Sequence, residues 1–261
     1  MLKEGDTVRI IELSQHNPKS WIINLVKDDE LSTHLGKIPH NNCIGKKYGD
    51  FVKVLKGKVI LSRACPRDYL RHFRLKTQIL YEDDCAIACS LAGLASGMKV
   101  GEAGTGSGAL TTFLAHNVHP NGHVFSFDIK ADHLANAQKN LAQTSLLKYI
   151  TFKLQDIRSP LDLRDLDAFF LDFPTPYEAI DNIAPVLKGS GHLICFVPNW
   201  GQVESTVAEI RKNPFFVLLE TFEITRRNFF VNPDKHIMRP VFRDLVYSGI
   251  LIHAIRVYSS K

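Results

Sequence analysis

Residues 100–110 read Val100-Gly-Glu-Ala-Gly-Thr-Gly-Ser-Gly-Ala-Leu110, the pattern of a buried strand that runs out into a glycine turn and then a helix start. Gly104, Gly106 and Gly108 stand at alternate positions and remove Cβ atoms where a ligand would lie against bare backbone. Thr105 and Ser107 add hydroxyls, and the helix that follows offers unpaired N–H groups. Gly104-x-Gly106-x-x-Ala109 also fits a dinucleotide fingerprint. Glu102 in the strand argues for a different ligand, because a carboxylate there repels a pyrophosphate and suits a cationic amino-acid moiety. The combination points to S-adenosylmethionine; the alternative is a tight strand-to-helix turn with no ligand.

Downstream of the turn the chain alternates regularly. The pattern predicts a helix from Ala109, a strand His123–Asp128, a helix Ala131–Gln143 and strands Ile150–Leu154 and Ala168–Asp172. A helix Tyr177–Leu187, a strand His192–Val197 and a helix Gln202–Lys212 follow. Upstream, Asp83–Ala95 reads as a helix leading into the turn. This is the βαβ signature of a parallel, Rossmann-like doubly wound α/β sheet. Two apolar runs near the C-terminus, Phe215–Ile224 and Leu245–Val257, read as paired strands closing the sheet edge, joined by a loop rich in Arg, Asn and Pro.

The first 60 residues differ in character. Short apolar runs beginning at Thr7, Ser20, Thr33 and Asp50 alternate with glycine and polar turns, which suggests a small β-barrel or curled sheet. Between Lys53 and Lys76, eight basic residues (Lys53, Lys56, Lys58, Arg63, Arg67, Arg71, Arg74, Lys76) face one acid, Asp68. On a helix after Pro66, the arginines at 63, 67, 71 and 74 would form one cationic stripe, either a solvated face or a phosphate-contacting surface. The expected organisation is a β-rich N-terminal domain with a basic linker over residues 1–72, and a catalytic α/β domain over 73–261.

Composition narrows the setting. With 261 residues and 45% hydrophobic content the chain can bury a full core, and a net charge of +5 permits an anionic partner without requiring one. The five cysteines are scattered without C-x-x-C spacing, so neither a disulfide framework nor a metal site is expected. No signal peptide or membrane-length apolar run is visible, and a cytoplasmic location is the expectation.

In such a sheet, ligands bind at the carboxyl ends of the strands. Asp128 ends the second strand, where a carboxylate can accept hydrogen bonds from both ribose hydroxyls; Asp156 follows the third, placed to meet an adenine amino group. Asp172 ends the fourth, in Asp172-Phe-Pro-Thr-Pro-Tyr177, where two prolines hold a carboxylate and an aromatic ring with little freedom. One group for the edge of a planar base and another for its face is the equipment that base recognition needs. The bland reading makes each aspartate a helix cap or turn residue.

These segments together resemble the tRNA (adenine-58-N1)-methyltransferases over nearly the whole length. Thr33-His-Leu-Gly-Lys-Ile-Pro-His with Ile44-Gly-Lys is similar to that family's N-terminal domain, and Lys76-Thr-Gln-Ile-Leu-Tyr81 to its segment ahead of the catalytic domain. Glu102 through Leu110 matches its cofactor loop, Asp172-Phe-Pro-Thr-Pro-Tyr its Asp-Leu-Pro-x-Pro-Trp, and Arg239-Pro with Phe242-Arg243 its C-terminal motif. The resemblance implies methyl transfer from S-adenosylmethionine to N1 of an adenosine in the T-loop of tRNA, at position 58 with 57 as a further candidate. By position it implies Asp172 as the catalytic carboxylate and Glu102, Asp128 and Asp156 as cofactor ligands. It also places Gln78 and Tyr81 near the cofactor and target base, with Tyr81 or Tyr177 stacking on that base. Arg239 and Arg243 join the N-terminal arginines as expected RNA contacts, and a homotetramer without membrane or metal is the implied assembly. The chain departs from the family at Glu82-Asp83-Asp84, Tyr177 and Tyr247, which bears on substrate grip more than on methyl transfer. A non-catalytic tRNA-binding subunit, a methyltransferase of another RNA and a nicotinamide-dependent oxidoreductase are the rival readings.

Overall fold

The computed structural model describes residues 1–14, 18–242 and 247–258. The chain forms two compact units, one of Met1–Arg74 with Gln138–Leu147, the other of Leu75–Ala137 with Lys148–Lys261.

In the first unit, β1 (Thr7–Glu12), β2 (Ser20–Asn24), β5 (Phe51–Val54) and β6 (Gly57–Ser62) form an antiparallel sheet in the order β2-β1-β6-β5. A separate hairpin joins β3 (Glu30–Thr33) to β4 (Gly36–Pro39). The run starting at Thr33 thus straddles a turn: Thr33 closes β3, and Gly36, at φ +109°, opens β4. Both sheets enclose one core, with Val8, Ile10, Leu25, Ile38, Val59 and Leu61 fully buried, but their hydrogen bonds do not close into a barrel.

The regular arginine stripe is not formed. Helix α1 covers only Pro66–Leu70, so Arg63 precedes it, Arg71 is its C-cap and Arg74 lies beyond. The helix stops because the chain tightens after Tyr69 (His72 N–H donates to Tyr69 O, 2.8 Å), and Asn140 then captures the Arg74 backbone at both its N–H and its carbonyl.

The second unit begins with α2 (Glu82–Leu91) and the strand β7 (Lys99–Ala103), followed by α3 (Ala109–Val118), β8 (His123–Asp128), α4 (Ala131–Leu141), whose residues from Gln138 on are counted with the first unit, and β9 (Ile150–Leu154). Then come β10 (Leu166–Leu171), α5 (Ile180–Ile183), β11 (Leu187–Val197), α6 (Trp200–Lys212), β12 (Phe216–Glu223), β13 (Phe229–Asn232), β14 (Ile237–Pro240) and β15 (Ile250–Arg256). Seven strands make one sheet in the order β12-β15-β11-β10-β7-β8-β9. The pairs from β11 through β9 are parallel, whereas β15 runs antiparallel to both β11 and β12. The two C-terminal runs therefore do close the sheet edge, while the loop between them contains an unforeseen hairpin, β13–β14.

Central strands covered on both faces should be apolar throughout, and β10 is buried at every position except Asp167. Phe127 and Phe169 stack across the core at 6.3 Å between ring centroids. The helix expected over 177–187 breaks into three pieces, with 3-10 turns at Pro176–Ala179 and Ala184–Val186 flanking α5. Pro185 ends α5: it has no N–H to continue the helical ladder beyond Ala184, which itself stays helical at φ −52°, ψ −47°. The strand order reverses beside β7, between β8 on one side and β10 on the other, which is the topological switch point where α/β sheets bind ligands.

Candidate active site

The glycine turn leaves β7 at this switch point. Gly104, Gly106 and Gly108 have φ of +94°, +53° and +84°, a region L side chains rarely adopt, and Gly108 caps α3. Gly104 is bare because of its protein neighbour: an added Cβ would stand 1.9 Å from the carbonyl oxygen of Asp172. The amides of Gly104 and Thr105 both bond Phe127 O (2.9 and 3.2 Å), which hangs the turn on β8.

The two hydroxyls of the turn face inward, contrary to the expectation that they meet a ligand. Thr105 Oγ1 lies 2.7 Å from Ser126 Oγ, and Ser107 Oγ accepts the Lys76 amide at 3.0 Å and lies 3.2 Å from Thr77 Oγ1. They stitch the turn to β8 and to the segment that leads into Gln78 and Tyr81. What the turn can offer a ligand is its backbone.

Glu102 is completely buried. Its Oε2 accepts Thr111 Oγ1 at 2.6 Å and Ser126 Oγ at 2.5 Å, while Oε1 has no partner among the described residues. Burial raises its pKa to about 7 against the pull of those two hydroxyls. Asp172, just past β10, donates its amide to Ala103 O at 2.9 Å. Its carboxyl is pushed up to about 8, first by burial and then by the charges of Glu102, Asp128 and Asp84. Asp84, at the start of α2, is buried, shifted up by that burial, and bonded by Ser248 Oγ at 2.9 Å. No Lys, Arg or His among the described residues pairs with Glu102 or Asp172, although four carboxylates gather here. A low-dielectric cluster of acids with an unpartnered buried oxygen is suited to a ligand that brings positive charge.

Asp128 is buried at the end of β8 and accepts the amides of Gly106 (3.0 Å) and Lys130 (2.9 Å), with His133 Nδ1 at 3.2 Å. It therefore shapes the turn as well as facing the crevice. Asp156 is half-exposed after β9 and is gripped by Arg158, whose Nε lies 3.0 Å from both carboxylate oxygens; that contact holds its carboxyl below the usual range. Tyr81 is the N-cap of α2 and Gln78 Nε2 lies 3.5 Å from its hydroxyl. Tyr177 sits half-buried in the 3-10 turn Pro176–Ala179.

The departures at Glu82 and Asp83 have a local partner, since Arg226 Nη1 lies 3.1 and 2.7 Å from their carboxylates. Tyr247 donates its hydroxyl to Pro198 O at 2.7 Å. Arg63, Arg67, Arg71 and Arg74 are all exposed in the first unit, and Arg63 lies over the Tyr48 ring. The one acid among them, Asp68, is buried and paired with Arg9 at 2.8 Å. Arg239 stacks over Phe230 and Phe242, at 5.1 and 3.9 Å. Arg243 lies outside the described residues. Among those residues there is no group of three or more His, Cys, Asp or Glu able to hold a metal, and no helix long and apolar enough to cross a membrane.

Sequence reading missed Ser126, Thr111, His133 and Arg158. Ser126 carried a usable signal, a lone hydroxyl inside the buried run Val124-Phe-Ser-Phe. The other three become meaningful only once α3, α4 and the loop after β9 are folded against the strand ends.

Residues 60–244 match the family model described as the tRNA methyltransferase complex GCD14 subunit. A curated relative from Dictyostelium discoideum, the tRNA (adenine(58)-N(1))-methyltransferase catalytic subunit trmt61a, is 29% identical over 88% of this chain and 75% of its own length. The tRNA (adenine(58)-N(1))-methyltransferase TrmI of Thermus thermophilus is 32% identical over 84% of this chain and 86% of its own. Among solved structures, an S-adenosylmethionine-dependent O-methyltransferase from Thermotoga maritima superimposes with a TM-score of 0.83 at 30% identity, covering 100% of this chain and 96% of that one. The tRNA (m1A58) methyltransferase TrmI of Aquifex aeolicus gives 0.77 at 25% identity, with 99% of each chain covered.

Proposed function

The chain belongs to the family of the tRNA methyltransferase complex GCD14 subunit, and from that premise we propose that it transfers a methyl group from S-adenosylmethionine to N1 of adenosine 58 in the T-loop of tRNA. The observation that carries this reading is Asp172, held against the glycine turn at the switch point in a cluster of acids with no Lys, Arg or His paired to it among the described residues.

The residues present fit the cofactor. The glycine backbone at 104–108 accommodates a chain lying against it, Glu102 keeps one buried oxygen for a cationic group, and Asp128 and Asp156 stand at the ends of β8 and β9 for the ribose and the adenine. When bound, the cofactor supplies an electrophilic methyl on a sulfonium. Asp172 accepts a hydrogen bond from the 6-amino group of the target adenine, which raises electron density at N1 and offsets the positive charge that develops on the ring. Tyr81 or Tyr177 provides a face for the base once it has been turned out of its loop. Residues 1–72, with Arg63, Arg67, Arg71 and the neighbouring Arg74, grip the tRNA backbone, and Arg239 and Arg243 add contacts from the second unit.

A non-catalytic role is disfavoured by the intact turn, and a nicotinamide cofactor would leave Glu102 facing a pyrophosphate. A homotetramer belongs to the same reading, supported by apolar side chains left exposed on β12, β13 and β14, among them Leu219, Phe229 and Met238. So does a cytoplasmic location, which fits five free cysteines. The test is mass-spectrometric nucleoside mapping of unmodified tRNA after incubation with protein and S-adenosylmethionine. The expected product is 1-methyladenosine at 58, and mapping also reports whether 57 is touched. Methylation elsewhere, or none with folded protein, rejects the proposal.

A further inference from the structure

Arg158 is an exposed side chain that joins two loops of the candidate site. Its Nε lies 3.0 Å from both oxygens of Asp156, Nη2 lies 2.6 Å from Oδ2, and its own amide donates to Oδ1 at 3.0 Å. Nη1 reaches across to Glu178 Oε2 at 3.0 Å. Glu178 is next to Tyr177 in the turn Pro176–Ala179, and the same Oε2 accepts Thr175 Oγ1 at 2.8 Å. One planar guanidinium thus binds the loop after β9 with one edge and the Pro-Thr-Pro-Tyr loop after β10 with the other, a geometry that a point charge such as lysine cannot reproduce.

Neighbouring contacts brace both loops. Asn182 Nδ2 donates to Ile157 O at 3.3 Å, and Gln202 Nε2 from α6 holds Pro174 O at 2.9 Å. The segment 174–178 is therefore pinned at its start by α6 and at its end by Arg158. Arg158, Asp156 and Glu178 are all substantially exposed, so the ion pairs add little to stability. Their consequence is positional: Asp156 cannot reorient toward a ligand without moving the guanidinium that also holds the Tyr177 turn.

We propose that Arg158 is a positioning residue that couples the cofactor-facing Asp156 to the base-facing turn at Tyr177, so that filling the cofactor site strengthens tRNA binding. This rests on the function proposed above. Coupling of this kind is reciprocal, so tRNA should strengthen cofactor binding by the same factor.

The experiment uses the full chain, unmodified tRNA and S-adenosylhomocysteine, which fills the cofactor site without turnover. tRNA affinity is measured by anisotropy with and without saturating S-adenosylhomocysteine, and the reciprocal affinity by calorimetry. The parent should show mutual strengthening of about two- to fivefold, the scale that an exposed ion pair can transmit. Glu178→Ala, which removes the acceptor of both Arg158 Nη1 and Thr175 Oγ1, should abolish the coupling while leaving S-adenosylhomocysteine affinity at the parental value in the absence of tRNA, and Glu178→Gln, whose amide oxygen still accepts, should keep part of it. Arg158→Ala should abolish it too, and Arg158→Lys should restore only part. Coupling at the parental strength in Glu178→Ala, or absent from the parent, overturns the proposal. Failure of the parent to bind either molecule instead rejects the function on which it rests. Should Arg158→Ala not fold, Glu178→Ala alone decides, because Glu178 is exposed and its removal leaves Arg158 on Asp156.

Discussion

Gly104 and Asp172 press backbone against backbone, so that a Cβ on the first would stand 1.9 Å from the carbonyl oxygen of the second. The ends of β7 and β10 are thereby locked in register at the point where the Asp172 carboxyl emerges. Gly104 also has φ +94°, so Gly104→Ala combines strain with a clash against backbone that has no rotamer to yield. Destabilisation of about 2 to 4 kcal/mol is expected in urea unfolding, with cofactor binding lost before the fold. A variant with parental stability and affinity would show that the two strand ends can separate freely.

Asp172→Asn separates charge from shape. The amide can still accept one hydrogen bond from the adenine amino group but cannot offset the positive charge on the ring. Single-turnover methylation at saturating tRNA and cofactor should fall roughly a hundredfold or more, with S-adenosylmethionine affinity nearly intact. Near-parental rates would reduce Asp172 to a structural turn residue.

The acid cluster sets a direction for pH dependence. Glu102 and Asp172 are raised to about 7 and about 8, whereas the unfolded carboxyls ionise at their ordinary values of 4.5 and 3.8. Between those limits the folded protein holds protons that the unfolded chain has released, so stability is greatest below about pH 4 for these two groups and is lost as pH rises toward about 8. For the ligand-free protein, this contribution to the thermal midpoint should fall from about pH 5 to about pH 8, and Asp172→Asn should flatten the slope. Cofactor affinity should run the other way, strengthening with pH as Glu102 ionises against a cation. A parental slope in the Asn variant would mean that Asp172 titrates normally.

Asp128 supports the glycine turn through the Gly106 amide, so its removal affects more than a sugar contact. Asp128→Ala should weaken S-adenosylmethionine binding by about 1.5 to 3 kcal/mol in calorimetry. Asp128→Asn keeps one acceptor for the Gly106 amide and should recover part of that loss. Equal affinity in parent and Ala variant would remove Asp128 from the site.

The succession of strands and helices along the chain, the glycine turn and the carboxylates at the strand ends were legible because each depends on local pattern: apolar runs of strand length, glycines where φ is positive, acids after the last apolar residue. The inward use of Thr105 and Ser107 was not, because it depends on Ser126 and the Lys76-Thr77 backbone, both distant in sequence. The arginine spacing from 63 to 74 promised a helix, yet the helix ends at Leu70 because Asn140, 66 residues beyond Arg74, takes the backbone bonds that a longer helix would need. Hairpin β13–β14 went unseen because its turn uses Pro233–Lys235 and a left-handed His236 where a glycine would have announced it.

RNA grip is the part of the proposal that depends least on the crevice and most on exposed charge. Arg63, Arg67 and Arg71 are exposed on the first unit, and Asp68, the one acid among them, is buried against Arg9. Their positive field therefore faces solvent even though they do not share one helical face. Phosphate contact releases counterions, so each lost contact should lower the log–log salt slope of tRNA binding by up to about one unit. Replacing all three with Ala should weaken binding most at low salt and hardly move S-adenosylmethionine affinity, since they belong to the other unit. Because these side chains are exposed, thermal stability should stay within about 1 kcal/mol of the parent, which keeps the comparison interpretable. Equal salt slopes for parent and triple variant would mean that these arginines form a solvated surface and that the tRNA is held elsewhere.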